Sequence, residues 1–153
     1  MVEIFAPTLT PTTLEMRYRF RASQEKLFHA WTDPTILGKW FHVTPDQHTP
    51  IAEVDLRVGG RYRLGMQAPG EELLVAGGEY RLIEEPSKLV FTWRWEAAPQ
   101  DSPSTLVTIE FQQLSGGTEL ILRHESFETE EQRDNHLAGW QGCVTQLTSN
   151  LEE

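Results

Sequence analysis

Residues 129–151 read TEEQRDNHLAGWQGCVTQLTSNL, and their periodicity decides the architecture. Leu137, Trp140, Val144, Leu147 and Leu151 recur at spacings of 3, 4, 3 and 4, which lays one apolar stripe along a helix. Thr129 and Gln132 make a capping box at its start. About 22 residues of helix run roughly 33 Å, enough to cross a domain. Such a stripe must be covered, and the preceding chain offers mainly sheet to cover it.

Working backwards, Thr118 to Ser126 and Leu106 to Leu114 flank Ser115-Gly116-Gly117, a strong hairpin signal. Leu89 to Glu96, Leu73 to Ile83, Arg61 to Met66 and Ile51 to Val58 read as further strands. They are separated by Pro86-Ser87, Ala68-Pro69-Gly70 and Gly59-Gly60. Turns this short imply an antiparallel meander, because parallel neighbours need helical crossovers. His42 to Pro50 reads as a polar loop. Before it, Ser23 caps one short helix carrying Leu27, Phe28 and Trp31, and Asp33-Pro34 starts a second that ends near Phe41. Leu14, Met16, Tyr18 and Phe20 alternate with Glu15, Arg17, Arg19 and Arg21, a half-buried strand. Residues 1–13, with Pro7 and Pro11, read as an extended arm, and 14–153 as a single domain. The class is α+β, a sheet and a long helix burying each other.

The chain has 153 residues, with 13 basic against 23 acidic side chains and a net charge of −10. That balance argues against nucleic acid and against an anionic membrane surface as partners. Two basic rows, Arg17/Arg19/Arg21 and Arg57/Arg61/Arg63, are what a solvated sheet face produces. The single Cys143 allows no internal disulfide and no cysteine metal cluster. No apolar run approaches the roughly 20 residues of a membrane span, and no signal peptide is legible. The expected location is the cytoplasm.

Five Trp, three Tyr and seven Phe are the chain's most telling side chains. Phe91, Trp93 and Trp95 share one strand face, as do Val107, Ile109 and Phe111, and Leu120, Leu122 and His124. A sheet curling around a helix leaves a gap at its open end, where aromatics either line a cavity or fill a plain core. His124, then His136, are the histidines best placed to offer a polar group there. His42, Asp46 and His48 match no metal-binding spacing, so no metal is expected. Gly139 and Gly142 flank Trp140, each costing about 1 kcal/mol in a helix, which points to close packing around the indole. No nucleophile elbow, zinc helix, phosphate loop or dinucleotide fingerprint is present.

Ala30-Trp31-Thr32-Asp33-Pro34, Trp40-Phe41 and Val58-Gly59-Gly60-Arg61-Tyr62 form the first half of an ordered pattern. Gly78-Glu79-Tyr80, Leu89-Val90-Phe91-Thr92-Trp93, Gly117-Thr118-Glu119-Leu120 and His124-Glu125-Ser126-Phe127 continue it, and His136, Gly139-Trp140 and Leu147 close it. Over residues 14–151 the set resembles the family named for the C-terminal domain of the activator of heat-shock protein 90 ATPase. That family lies within the START-like (SRPBCC, birch-pollen-allergen-like) superfamily. The resemblance implies a helix-grip fold: a curved antiparallel sheet of about six to seven strands around the long C-terminal helix, with two short helices after the first strand.

It also implies a hydrophobic cavity between sheet and helix. The leading expectation is a small-molecule binding protein for a hydrophobic, aromatic or lipid-like ligand. Its cavity residues are Trp31, Phe41, Met66, Tyr80, Trp93, Phe111, His124 and Trp140. No catalytic residue or cofactor is assigned, and a binding protein is favoured over an enzyme. One alternative is a chaperone-interacting module of the stress response, touching its partner through Glu125, Glu128, Glu130, Glu131 and Asp134. Another is a polyketide cyclase or aromatase-like enzyme with His124 as base. Monomer and homodimer both stay open.

Overall fold

The alternation over residues 13–20 produces strand β3 (Thr13–Phe20), with Leu14, Met16, Tyr18 and Phe20 buried. The computed structural model describes residues 2–151; Met1 of the expected arm and Glu152 and Glu153 of the expected domain lie outside the described residues. Helix α1 (Gln24–Thr32) starts at Ser23, whose hydroxyl accepts the Lys26 amide at 3.1 Å. Helix α2 (Pro34–Trp40) starts at Asp33, whose carboxylate accepts the Thr35 and Ile36 amides at 2.8 and 3.4 Å. Both caps satisfy amide groups that the first helical turn leaves unpaired.

Six strands follow as an antiparallel meander: β4 (His48–Val54), β5 (Arg61–Gln67), β6 (Leu74–Glu84), β7 (Lys88–Trp95), β8 (Thr105–Leu114) and β9 (Gly117–Glu125). β9 then pairs with β3, so the chain's first long strand and its last are neighbours. Helix α3 (Glu130–Leu151) closes the order and buries Trp140, Cys143, Val144 and Leu147 against the inner face of the sheet. At its start the Thr129 hydroxyl accepts the Gln132 amide at 3.1 Å, while the Gln132 side chain accepts the Glu128 amide at 3.1 Å. The result is the expected helix-grip α+β architecture.

The sheet has nine strands rather than six or seven. The two additional ones come from the arm. β1 (Val2–Ile4) pairs with Tyr18–Phe20 and β2 (Thr8–Thr10) with Thr13–Glu15, so both lie on the same edge of β3. Between them the Phe5 amide still reaches the Arg17 carbonyl at 3.2 Å. A proline-interrupted, short-stranded edge is a common way to end a sheet without inviting another chain. β4 also begins earlier than the sequence suggests, inside the stretch read as loop, and ends at Val54. Pro50 is accommodated because β4 is the opposite edge strand and its register shifts between His48 and Ile51.

The basic rows are not simply solvated. Arg17 Nη1 and Arg19 Nε donate to the two oxygens of Glu119 at 2.9 and 3.0 Å, and Glu119 is only 4% exposed. Arg63 makes a two-pronged contact with Glu96 at 2.6 and 3.0 Å. Among the described residues no helix is long and apolar enough to cross a membrane.

Candidate functional site

Trp140 stands near the middle of α3, and three other elements bring aromatic rings to it. α1 supplies Trp31, the C-cap of α2 supplies Phe41 and β7 supplies Trp93, with ring centroids 5.9, 6.0 and 5.1 Å from the indole. Between this cluster, Met66 of β5 and the helix lies a cavity of about 110 Å³. Buried Cys143 also lines it, and half-buried Val43, Trp95 and Gly139 with exposed Asn135 form the rim. Behind Phe41, Trp93 and Trp140 is a second, much smaller hollow of about 10 Å³, to which Trp31, Tyr62, Tyr80 and Phe91 contribute. A space that size accommodates one water-sized group.

A groove of about 350 Å³ continues outward from the rim and shares Trp93, Trp95, Asn135 and His136 with the cavity. Its far wall is the loop after β7, held by Arg94, which donates to the carbonyls of Ala98, Pro99 and Ser102. Apolar space therefore lies inside and a more polar channel outside.

Two histidines brace the wall. The Trp140 indole N–H donates to His124 Nδ1 at 3.0 Å, so the ring proton is assigned to Nε2. Nε2 lies 2.6 Å from the Thr105 hydroxyl, which in turn donates to the Trp93 carbonyl at 3.1 Å. His136 repeats the device one turn earlier on α3: its Nε2 accepts the Trp95 indole N–H at 3.1 Å, and its Nδ1 sits 2.7 Å from the Gln132 carbonyl. Burial holds the His124 pKa well below the ordinary histidine range, and the nearby His136 pushes the same way. Burial also lowers His136, against the opposing bond to Gln132. Both rings are neutral pieces of scaffold with each nitrogen engaged. His124 is fully buried, and both of its ring nitrogens are engaged, one by Trp140 and the other by Thr105.

The indole groups divide sharply. Trp40 donates to the Ala30 carbonyl at 2.8 Å, Trp95 to His136 and Trp140 to His124. Trp31 and Trp93 have buried N–H groups with no acceptor among the described atoms. Leaving such a donor unpaired costs about 1–3 kcal/mol. Both of these residues line the small hollow, and Trp93 lines the main cavity as well.

Of the eight residues expected to form the cavity, Phe41, Met66, Trp93 and Trp140 line it. Trp31 and Tyr80 line the hollow behind it, and His124 supports Trp140 from outside both spaces. Phe111 stands apart: it packs on Phe28 of α1, centroids 5.5 Å apart, because β8 runs beneath α1 at that height. Val43, Trp95, Asn135, His136, Gly139 and Cys143, none of them among those eight, complete the lining. Cys143 is buried and its thiol is pushed up to about 12 by desolvation, which makes it lining rather than nucleophile.

The two helix glycines do different things. A Cβ on Gly142 would come within 2.5 Å of Val43 Cγ1 and of the Val43 carbonyl oxygen, so α3 meets the segment after α2 in backbone contact there. A Cβ on Gly139 would meet nothing within 4 Å and would stand at the cavity rim. Close packing explains Gly142, and open space surrounds Gly139. His42 lies against the Thr49 hydroxyl at 3.2 Å, and among the described residues no three acidic, His or Cys side chains are grouped to hold a metal.

A sheet gripping one long helix over an aromatic cavity defines a helix-grip class of protein. Residues 21–152 match the family model described as Activator of Hsp90 ATPase homolog 1-like protein, and the chain belongs to that family. Solved structures agree. A protein from Mycobacterium smegmatis superposes with a TM-score of 0.83 at 22% identity, covering 96% of each chain. One from Chromobacterium violaceum gives 0.78 at 26% identity over 91% of this chain and 96% of its own. CalU16 from Micromonospora echinospora gives 0.67 at 21% identity, over 98% and 85%. No curated protein matches the sequence significantly.

Proposed function

We propose that this protein binds a small hydrophobic ligand in the cavity between α3 and the sheet. The observation that carries the reading is the cavity itself. About 110 Å³ of space walled by Phe41, Met66, Trp93 and Trp140 persists in a core whose other aromatics pack ring on ring. Concave, mostly apolar sites with few polar groups are the usual form of small-molecule sites. An apolar cavity of about 150 Å³ takes one benzene ring, so the inner space suits the tip of a ligand. The groove of about 350 Å³ suits the remainder.

Gly139 supplies the test, because a side chain there enters open space at the rim without disturbing the helix backbone. Native mass spectrometry of freshly purified protein reads any retained ligand. Titration with toluene, followed through the backbone amide signals of Gly139, Cys143 and Val43, reads occupancy directly. Binding by the parent protein and its loss in a folded Gly139→Leu variant are the expected results. A parent protein that retains no ligand and whose amide signals ignore saturating toluene overturns the reading.

A chaperone contact rests on the family description. The acidic residues named for it cluster around the start of α3, where Glu130 and Asp134 already engage Arg133. Purified chaperone whose ATPase rate is unmoved by this protein at low salt would remove that alternative.

A further inference from the structure

Three of the five indole N–H groups are satisfied within the protein, by a carbonyl or a histidine nitrogen. The two that are not belong to Trp31 of α1 and Trp93 of β7, side chains from different elements that line one small hollow. Both unpaired donors therefore fall on residues of a single lining. A hollow of about 10 Å³ is too small for a ring or an alkyl chain but holds a single oxygen atom. Phe41, Trp93 and Trp140 line both this hollow and the 110 Å³ cavity, so the two spaces are neighbours across these rings.

Charge narrows the chemistry. Neither space has a lysine or arginine in its lining. The one histidine that lines the cavity, His136, spends one ring nitrogen on Trp95 and the other on Gln132. A carboxylate or phosphate placed here would lose its hydration without gaining a cation, which is strongly unfavourable. A neutral oxygen with free lone pairs satisfies the two donors at a much smaller desolvation cost. A pure hydrocarbon fills the cavity and leaves both donors unpaired.

Resting on the binding reading above, we infer that the part of the ligand seated in these two spaces is neutral and mainly apolar and carries an oxygen acceptor. A ketone, ester or ether oxygen would be held by the indole N–H groups of Trp31 and Trp93 in the small hollow, while the apolar body occupies the cavity. Selectivity then comes from the unpaired donors, since a site built to bond an oxygen rejects an isostere lacking it.

Three probes of similar shape separate the possibilities: cyclohexanone, methylenecyclohexane and cyclohexanecarboxylate. Each is titrated into ¹⁵N-labelled protein, and the five indole N–H signals and the Cys143 backbone amide are followed together. Trp31→Phe and Trp93→Phe variants serve to assign the indole signals. Cyclohexanone is expected to bind about tenfold more tightly than methylenecyclohexane, the yield of one well-made hydrogen bond. It should also move the Trp31 and Trp93 indole protons downfield while leaving Trp40 in place. Equal binding of the ketone and the alkene, with the Cys143 amide shifted and the two indole signals unmoved, overturns the inference and leaves the binding reading standing. Tighter binding of the carboxylate also overturns it. If no probe shifts any of these signals, the cavity is not a binding site and both readings fall.

Discussion

Trp140 touches Trp31, Phe41 and Trp93 with its ring and His124 with its N–H, so its loss is felt in packing and in hydrogen bonding at once. Replacing it with Ala is expected to cost about 3–5 kcal/mol in chemical denaturation, the range for a buried aromatic. Trp140→Phe keeps most of the packing but leaves His124 Nδ1 without its donor, for a loss of about 1–3 kcal/mol. Gly139 and Gly142 make a sharper pair, because the same substitution should act with opposite sign three residues apart. Gly139→Ala meets open space and gains helix propensity, so stability should rise by up to about 1 kcal/mol. Gly142→Ala drives a methyl into Val43 and should lose about 1–3 kcal/mol. Equal effects in thermal melts would contradict this account of the helix interface.

At the scale of elements, the N-terminal arm and the outer face of the sheet are held by polar contacts that hydropathy does not reveal. Arg133 of α3 donates to the Thr10 carbonyl at 2.6 Å, and the Phe127 amide donates to the Thr12 carbonyl at 3.1 Å. These bonds tie the arm to the start of the helix as well as to β3. The Glu119 clamp joins β9 to β3 beside it. Glu119→Gln keeps the shape and removes the charge between Arg17 and Arg19, whose side chains are 43% and 48% exposed. Solvent screening by those half-exposed partners limits the expected loss to about 1 kcal/mol. A double-mutant cycle with Arg17→Ala measures the coupling, and a coupling near zero would mean the clamp is ornamental.

At the scale of the molecule, the neutral histidines make stability depend on pH. His42, His124 and His136 all have folded pKa values below the ordinary one of about 6.5, because burial disfavours the charged ring. The unfolded chain therefore binds more protons than the folded one as pH falls below about 6.5. Stability is complete above that value and declines toward the lower folded pKa values. Melting temperature should fall between about pH 6.5 and 5, before most carboxylates titrate. The fall should be shallower in His136→Gln, which retains a polar side chain on α3 but cannot take up the proton. A flat profile in the parent protein would show that burial does not hold these rings neutral.

Local order alone determined much of this protein. The stripe from Leu137 to Leu151, the alternation from Leu14 to Phe20, the caps at Ser23 and Asp33 and the Ser115-Gly116-Gly117 turn are short-range signals, and each appears in the fold where the sequence places it. The arm escaped that reading because β1 and β2 are three-residue strands that exist only by pairing with β3. The site was legible in part. Strand parity set Trp93 and Phe111 on inward faces and the helix stripe did the same for Trp140, while Phe41 and Met66 came with the family resemblance; parity says which face a residue occupies and not how far along it lies. That is why Phe111, on the right face, packs under α1 instead. Which indoles find acceptors, which glycine touches a neighbour and where space remains were decided by tertiary structure alone. Each depends on the distance between elements far apart in the chain, and no spacing within one element records that distance.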